Sequence, residues 1–154
     1  MMAFDQLAMT PDPIVIGARF ERRAVFDAAS IRQFAALSGD HNPLHHDAVA
    51  AAAGPFGRLI ASGPHVTALM MGLDATYFSR SFEALGLEFD FRFVKAIPEG
   101  AELTLEWTIT GSEAKPSLSG YIVSVEGRAV DDEGTVYTTA HGSNLLRTPR
   151  GDAP

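Results

Sequence analysis

Three features of the sequence predict an α+β fold in which an antiparallel sheet of about five strands wraps around one long central helix. The stretch GPHVTALMMGLDATYF, residues 63–78, carries Val66, Ala68, Leu69, Met70, Met71 and Leu73 around most of its circumference. A helix that is apolar on nearly every side belongs in an interior. From residue 85 the apolar period changes from helical to two. Phe89, Phe91 and Phe93 alternate with Glu88, Asp90 and Arg92, and Leu103, Leu105, Trp107 and Ile109 alternate with Thr104, Glu106 and Thr108. Such alternation gives antiparallel strands with one dry and one wet face. Turn-rich segments punctuate the second half, and a sheet of that size can cover the helix by curling around it.

The elements follow in order. Residues 1–13 hold two prolines and no periodicity, which predicts a loosely held arm. Ile14 to Phe26 reads as a first strand. Asp27 is placed to cap AASIRQFAALSG, whose Ile31, Phe34, Ala35 and Leu37 (or Ser38) fall near helical spacing before Gly39 ends the run. Asp47 can cap a second short helix, DAVAAAAG, stopped by Gly54-Pro55. After the apolar Leu59-Ile60-Ala61, Ser62 is a reasonable N-cap for the central helix, and Pro64 is tolerated in a first turn where its missing N–H costs nothing. GSEAKPSLSG reads as a turn-rich connection, YIVSVEGRAV as a strand, Asp132-Glu133-Gly134 as a tight turn, and TVYTTAHGSNLLR as the last strand. Residues 148–154 look frayed. The whole, 1–154, is one domain.

Composition narrows the function. Hydrophobic residues make up 46% and charged residues 20%, as in a chain with a proper core. The absence of cysteine excludes disulfides, thiolate metal sites and a cysteine nucleophile. A net charge of −7 without any Lys/Arg stripe argues against a nucleic-acid partner. No secretory leader and no stretch of transmembrane length is visible, so a cytoplasmic protein without a membrane partner is the expectation.

Chemistry concentrates in residues 37–66, which hold four of the five histidines, His41, His45, His46 and His65, together with Asp40 and Asp47. Asp, Asn and Pro within a few residues favour a turn that can aim Asp40 and His45 at one point. An imidazole and a carboxylate so aimed suit proton transfer at neutral pH. Asn42 either orients one of them or closes its own turn. His41 and His46 read as solvated neighbours, and His65 as facing either a pocket or a core hydrogen bond. A metal site from Asp40, His41, His45 and Asp47 is the weaker reading, because Asn42-Pro43 breaks any helix that would put both imidazoles on one face. No metal is expected. His141 sits in a strand with nothing tying it to the site.

The run Ser38-Gly39-Asp40-His41-Asn42-Pro43-Leu44-His45-His46-Asp47 matches S-G-D-x-N-P-x-H-x-D without a gap. With Phe56 to Gly63 it resembles the MaoC-like dehydratase and (R)-specific enoyl-CoA hydratase family. The resemblance implies the hot-dog fold and a homodimer, or a higher oligomer built from it, that adds water to a trans-2-enoyl thioester or removes it from a 3-hydroxyacyl thioester. It makes Asp40 and His45 the catalytic pair and the backbone N–H of Gly63 the binder of the thioester carbonyl. Coenzyme A enters only as part of the substrate, and no other cofactor is implied. A helix N-terminus suits that carbonyl, because unpaired N–H groups meet developing negative charge there. Asn42, Ser62 and His65 complete the candidate set as substrate-positioning residues. The chain departs from the family at Met71, where active hydratases can carry a serine, and at Ala96 and Ala101. Two alternatives remain: a hot-dog acyl-CoA thioesterase, for which Asp74 is the one acid on the central helix, and a non-catalytic acyl-thioester-binding dimer.

Overall fold

A computed structural model describes residues 14–149. Five antiparallel strands form one sheet in the order β1-β3-β4-β5-β2, so the first and second strands are its edges. They are β1 (Arg19–Phe26), β2 (Glu83–Phe93), β3 (Ala101–Lys115), β4 (Gly120–Val130) and β5 (Val136–Arg147). The helices are α1 (Ala28–Ser38), α2 (Ala48–Ala53) and α3 (Gly63–Ser79), with a short 3-10 turn at Pro43–His45. The sheet of five and the long central helix are those the periodicities predict. The expected arm at 1–13 and most of the frayed tail at 148–154 lie outside the described residues.

Local chemistry sets the helix ends. The Asp27 carboxylate accepts from the Ser30 N–H, and Gly39 closes α1 with φ of 74°, a conformation that glycine adopts without steric cost. Asp47 accepts from the N–H groups of Val49 and Ala50 and starts α2. The buried face of α1 is Ile31 and Ala35, while Leu37 points into solvent.

The inner face of the sheet carries Leu103, Leu105, Trp107 and Ile109 from β3, and Val123, Val125 and Ala129 from β4. Trp107 fixes the helix on this surface. Its indole N–H donates to the Met70 carbonyl at 2.9 Å, so a ring that brings a polar atom into the core also satisfies it. Gly127 lies opposite Trp107 in register, and a Cβ there would fall 2.5 Å from the ring. The strand can carry only glycine at that point without moving the indole.

Four expectations change. Strand β1 begins at Arg19 rather than Ile14, because residues 15–18 form a turn with Gly17 at φ of 90°. Strand β3 continues past a register shift near Gly111 to Lys115, so most of the segment expected as a connection is strand and the turn is confined to 116–119. Glu106, expected on the wet face, is buried there, because Arg19 and Arg128 from the flanking strands both close on its carboxylate. The helix α3 is not enclosed on all sides. It buries Val66, Met70, Leu73 and Phe78, while Ala68, Met71, Gly72 and Ala75 remain open. A single curled sheet covers one flank of a helix and leaves the other.

One acid lies deep in this core. Asp74 of α3 is 2% exposed, and its carboxylate accepts from the Asn144 side-chain amide at 3.1 Å. Burial pushes this carboxyl up to about 7 from the usual 3.8, opposed in part by the Asn144 amide. Between those two values the folded chain holds a proton that the unfolded chain has released. The group's contribution to stability is therefore full below about pH 4 and lost as pH rises through about 7. Asp74→Asn retains an acceptor for Asn144 and should remove this slope. The variant should melt above the wild type at about pH 8, by an amount on the order of a few kcal/mol, and the gap should close below about pH 5. Equal melting curves across that range would overturn the assignment.

Candidate active site

The decapeptide Ser38 to Asp47 folds as a chain of caps. Gly39 turns the backbone out of α1, and the Asp40 N–H donates back to the Ala35 carbonyl at 2.9 Å. The Asn42 backbone N–H donates to Asp40 Oδ1 at 2.9 Å, and the Asn42 side-chain oxygen accepts from the Leu44 N–H at 3.1 Å. Pro43 then opens the 3-10 turn, whose last residue is His45. Asn42 thus closes its own turn with its side chain and holds Asp40 with its main chain.

His45 is buried and oriented by a second segment. Its Nδ1 lies 2.7 Å from the Ile60 carbonyl oxygen. A carbonyl only accepts, so Nδ1 carries the hydrogen and the neutral ring presents a bare Nε2. That Nε2 lies 3.5 Å from Asp40 Oδ2. A carboxylate and a bare ring nitrogen are both acceptors and make no hydrogen bond to each other. A water above them, about 2.8 Å from each, can donate one O–H to each. The arrangement can cradle one water between two acceptors.

Segment 59–61 is itself pinned from both sides. The Ile60 N–H donates to the Leu44 carbonyl, the Ala61 N–H to the Ile97 carbonyl and the Glu99 N–H to the Leu59 carbonyl. Ile60 is the positioning residue that the sequence does not reveal, because it works through its main chain. The only trace is the short apolar run between the Gly57 turn and Ser62.

The start of α3 follows at once. Ser62 is 4% exposed and occupies the N-cap position, yet its hydroxyl makes no capping bond. His65 is buried, stacked on Phe34 at 4.7 Å and edge-on to Phe26 at 5.1 Å, and its Nδ1 has no partner. The core hydrogen bond expected as one of its two roles is not made at that atom. Burial holds the His65 imidazole below its ordinary range, with Asp27 pulling weakly the other way. His46 is not a solvated neighbour, for its Nε2 donates to the Asp40 carbonyl. His41 is exposed. Asp47 is spent on capping α2, and among the described residues no three acidic, histidine or cysteine side chains converge as a metal group. Asp74 lies eleven residues along α3 from Gly63, roughly 16 Å at the helical rise, and bonds Asn144. His141 stands on the outer face between Asp90 and Glu126.

With this geometry in hand, the comparisons with known proteins are specific. The MaoC like domain matches residues 12–129, and the chain belongs to that family. The chain is 27% identical over 120 residues to 3-hydroxyacyl-thioester dehydratase Z of Mycobacterium tuberculosis, which covers 76% of this chain and 78% of that protein. The solved (R)-hydratase from A. caviae involved in PHA biosynthesis superposes with a TM-score of 0.76 at 27% identity, over 88% of this chain and 97% of that one. The unliganded R-hydratase PhaJ1 from Pseudomonas aeruginosa shares the fold, with a TM-score of 0.77 at 23% identity over 91% and 90% of the two chains. The family match and these relatives support a hydratase or dehydratase in general terms, on a hot-dog fold.

Gly63 can be tested by geometry alone. A Cβ at this position would fall 2.6 Å from Cζ of Phe93, the last residue of β2. The ring is 55% exposed and can yield, so the obstruction is soft. Gly63→Ala should therefore lower stability only modestly, by about 1 kcal/mol, the low end of the usual cost of overpacking. Adding Phe93→Ala should return part of that loss, which melting curves of the two single variants and the double variant would measure as a coupling. Additive losses would mean that the ring does not bear on Gly63.

Proposed function

We propose that the protein interconverts trans-2-enoyl-CoA and (R)-3-hydroxyacyl-CoA thioesters, with Asp40 and His45 sharing one water. The observation that carries this reading is the pair of acceptors, His45 Nε2 and Asp40 Oδ2, 3.5 Å apart with the imidazole fixed by the Ile60 carbonyl. In the hydration direction the bare Nε2 takes a proton as the water oxygen bonds to C3, and the C2–C3 π pair moves onto the thioester as an enolate. The imidazolium then returns a proton to C2, so the pair ends as it began. Asp40 orients the water and steadies the transient imidazolium. The Gly63 N–H, in the first turn of α3 where amides lack intrahelical acceptors, bonds the enolate oxygen. Ser62 and His65 flank that point as positioning residues, and Asn42 acts through Asp40.

The active form in this proposal is a homodimer. Among the described residues the edge strand β2 pairs only with β5 and exposes Leu85, Leu87 and Phe93, and the bare stripe of α3 exposes Met71. An unpaired edge bearing apolar side chains favours a second strand, and a two-fold pairing of β2 with its copy would give one larger sheet. The substrate cleft would then lie at the subunit boundary. Asp74 is buried and bonded to Asn144 well away from Gly63, so a thioesterase built on it has no support.

A panel of trans-2-enoyl-CoA esters, followed by loss of the conjugated absorbance, tests the activity. Asp40→Asn and His45→Gln should each lower turnover by about 10²–10⁴-fold with an unchanged circular dichroism spectrum. The double variant should lose little more than either single one, since both act on the same water. Near-full turnover in either single variant, or thiol release in place of hydration, would overturn the assignment. Sedimentation at micromolar concentration should give twice the chain mass, and a monomer that turns over substrate would remove the dimer from the proposal.

A further inference from the structure

The N-cap of α3 carries a hydroxyl that the fold does not use. An N-cap side chain ordinarily accepts from the N–H of the second or third helical residue. Here the second is Pro64, which has no N–H, and the third is His65, whose N–H already donates to the Ser62 carbonyl at 3.1 Å. The Ser62 Oγ is left buried and without a partner. One helical turn on, His65 Nδ1 is likewise buried and unpartnered. A buried polar atom without a partner has given up its hydration for nothing in return. Two of them at one helix start mark a place shaped for something other than packing. The first-turn N–H of Gly63 stands next to that hydroxyl in the chain.

We infer that the Ser62 hydroxyl is a catalytic donor, supplying with the Gly63 N–H the second of two hydrogen bonds to the thioester oxygen; this rests on the hydratase reading above. The hydroxyl is sealed in the free chain. The Phe93 ring lies on Gly63 at the end of an edge strand and is half exposed, so it has room to turn aside for a substrate. Ser62 Oγ–H then donates as negative charge gathers on the enolate oxygen, and the bond lengthens again when C2 is protonated. No atom is transferred to or from the serine.

The role separates from capping because the two predict opposite effects on stability. Ser62→Ala in the full-length protein should lower kcat by about 10²–10³-fold, while the melting temperature stays level or rises. Ser62→Thr keeps a hydroxyl and should recover most of the turnover. Cinnamoyl-CoA bound to the wild type should show a red-shifted absorbance from carbonyl polarisation, and the shift should shrink in Ser62→Ala. Wild-type turnover in Ser62→Ala, an undiminished red shift, or a melting temperature several degrees lower, as for a lost cap, would each overturn the inference. Asp40→Asn, run alongside, keeps the two readings apart. If it is inactive while Ser62→Ala is fully active, only the serine role fails; if the wild type hydrates no enoyl-CoA, both fail.

Discussion

The hydrogen bond from His45 Nδ1 to the Ile60 carbonyl is the constraint on which the site depends. It fixes the tautomer, so that Nε2 of the neutral ring is left as an acceptor for a water shared with Asp40. It also joins two stretches far apart in function. The decapeptide loop ends α1 and carries Asp40 and His45, the proposed acid–base pair, and the segment at 59–61 delivers the chain into α3. Because the Ile60 N–H returns a bond to the Leu44 carbonyl, the two segments run side by side as a short ladder. The distance from the imidazole to the start of the central helix is then set by two residues of backbone, Ala61 and Ser62, rather than by mobile side chains. A site that must hold a base and an oxyanion donor at fixed separation gains from this, since small misplacements are costly in turnover.

Much of this was legible in the sequence wherever the cause is local. Asp27, Asp47 and Gly39 are capping residues whose chemistry acts within four positions, and all three fall where the structure uses them. The alternation of Leu103, Leu105, Trp107 and Ile109 with polar residues defines a buried face without reference to any other strand. The features that escaped depend on partners remote in sequence. Glu106 is covered by arginines from β1 and β4, and nothing in LTLEWTIT marks it as different from Thr104 or Thr108. The extension of β3 through Gly111 depends on β4 continuing to pair beyond a register shift. In the site, Asp40 and His45 are named by their residue types, but the Ile60 carbonyl has no type to read. Ser62 is a different case. It occupies the N-cap position that the sequence predicts, but proline at the second helical position removes one capping N–H, and the hydroxyl makes no cap bond.

The central helix carries its buried polar groups at a thermodynamic disadvantage. Ser62 Oγ and His65 Nδ1 are buried without partners, and Asp74 is buried with a single amide donor. Each lowers the stability of the folded state relative to an apolar residue of similar size. The helix is held in place nonetheless by Trp107, whose ring fills the space over Gly127 and whose N–H satisfies the Met70 carbonyl, and by Phe20 stacked on Tyr77 at 3.8 Å and edge-on to Phe78. Strong aromatic anchoring in the middle and at the end of α3 lets its first turn remain polar. The division follows the chemistry, for the start of the helix is the end that can stabilise negative charge.

The same helix explains why one chain looks unfinished. A five-stranded sheet curls far enough to cover Val66, Met70, Leu73 and Phe78, but not the stripe from Ala68 to Ala75. Extending the sheet in either direction would cover more, and the edge available beside α3 is β2, which ends in Phe93 against Gly63. Under the proposed dimer, the strand that completes the sheet and the ring that lies on the proposed thioester site therefore belong to one element. Pairing of β2 with its copy would restrict the backbone on which Phe93 sits, and so govern how freely the ring leaves the helix start. Assembly and substrate entry are then coupled through a single edge strand, which accounts for apolar side chains being kept on an edge that a monomer would do better to charge.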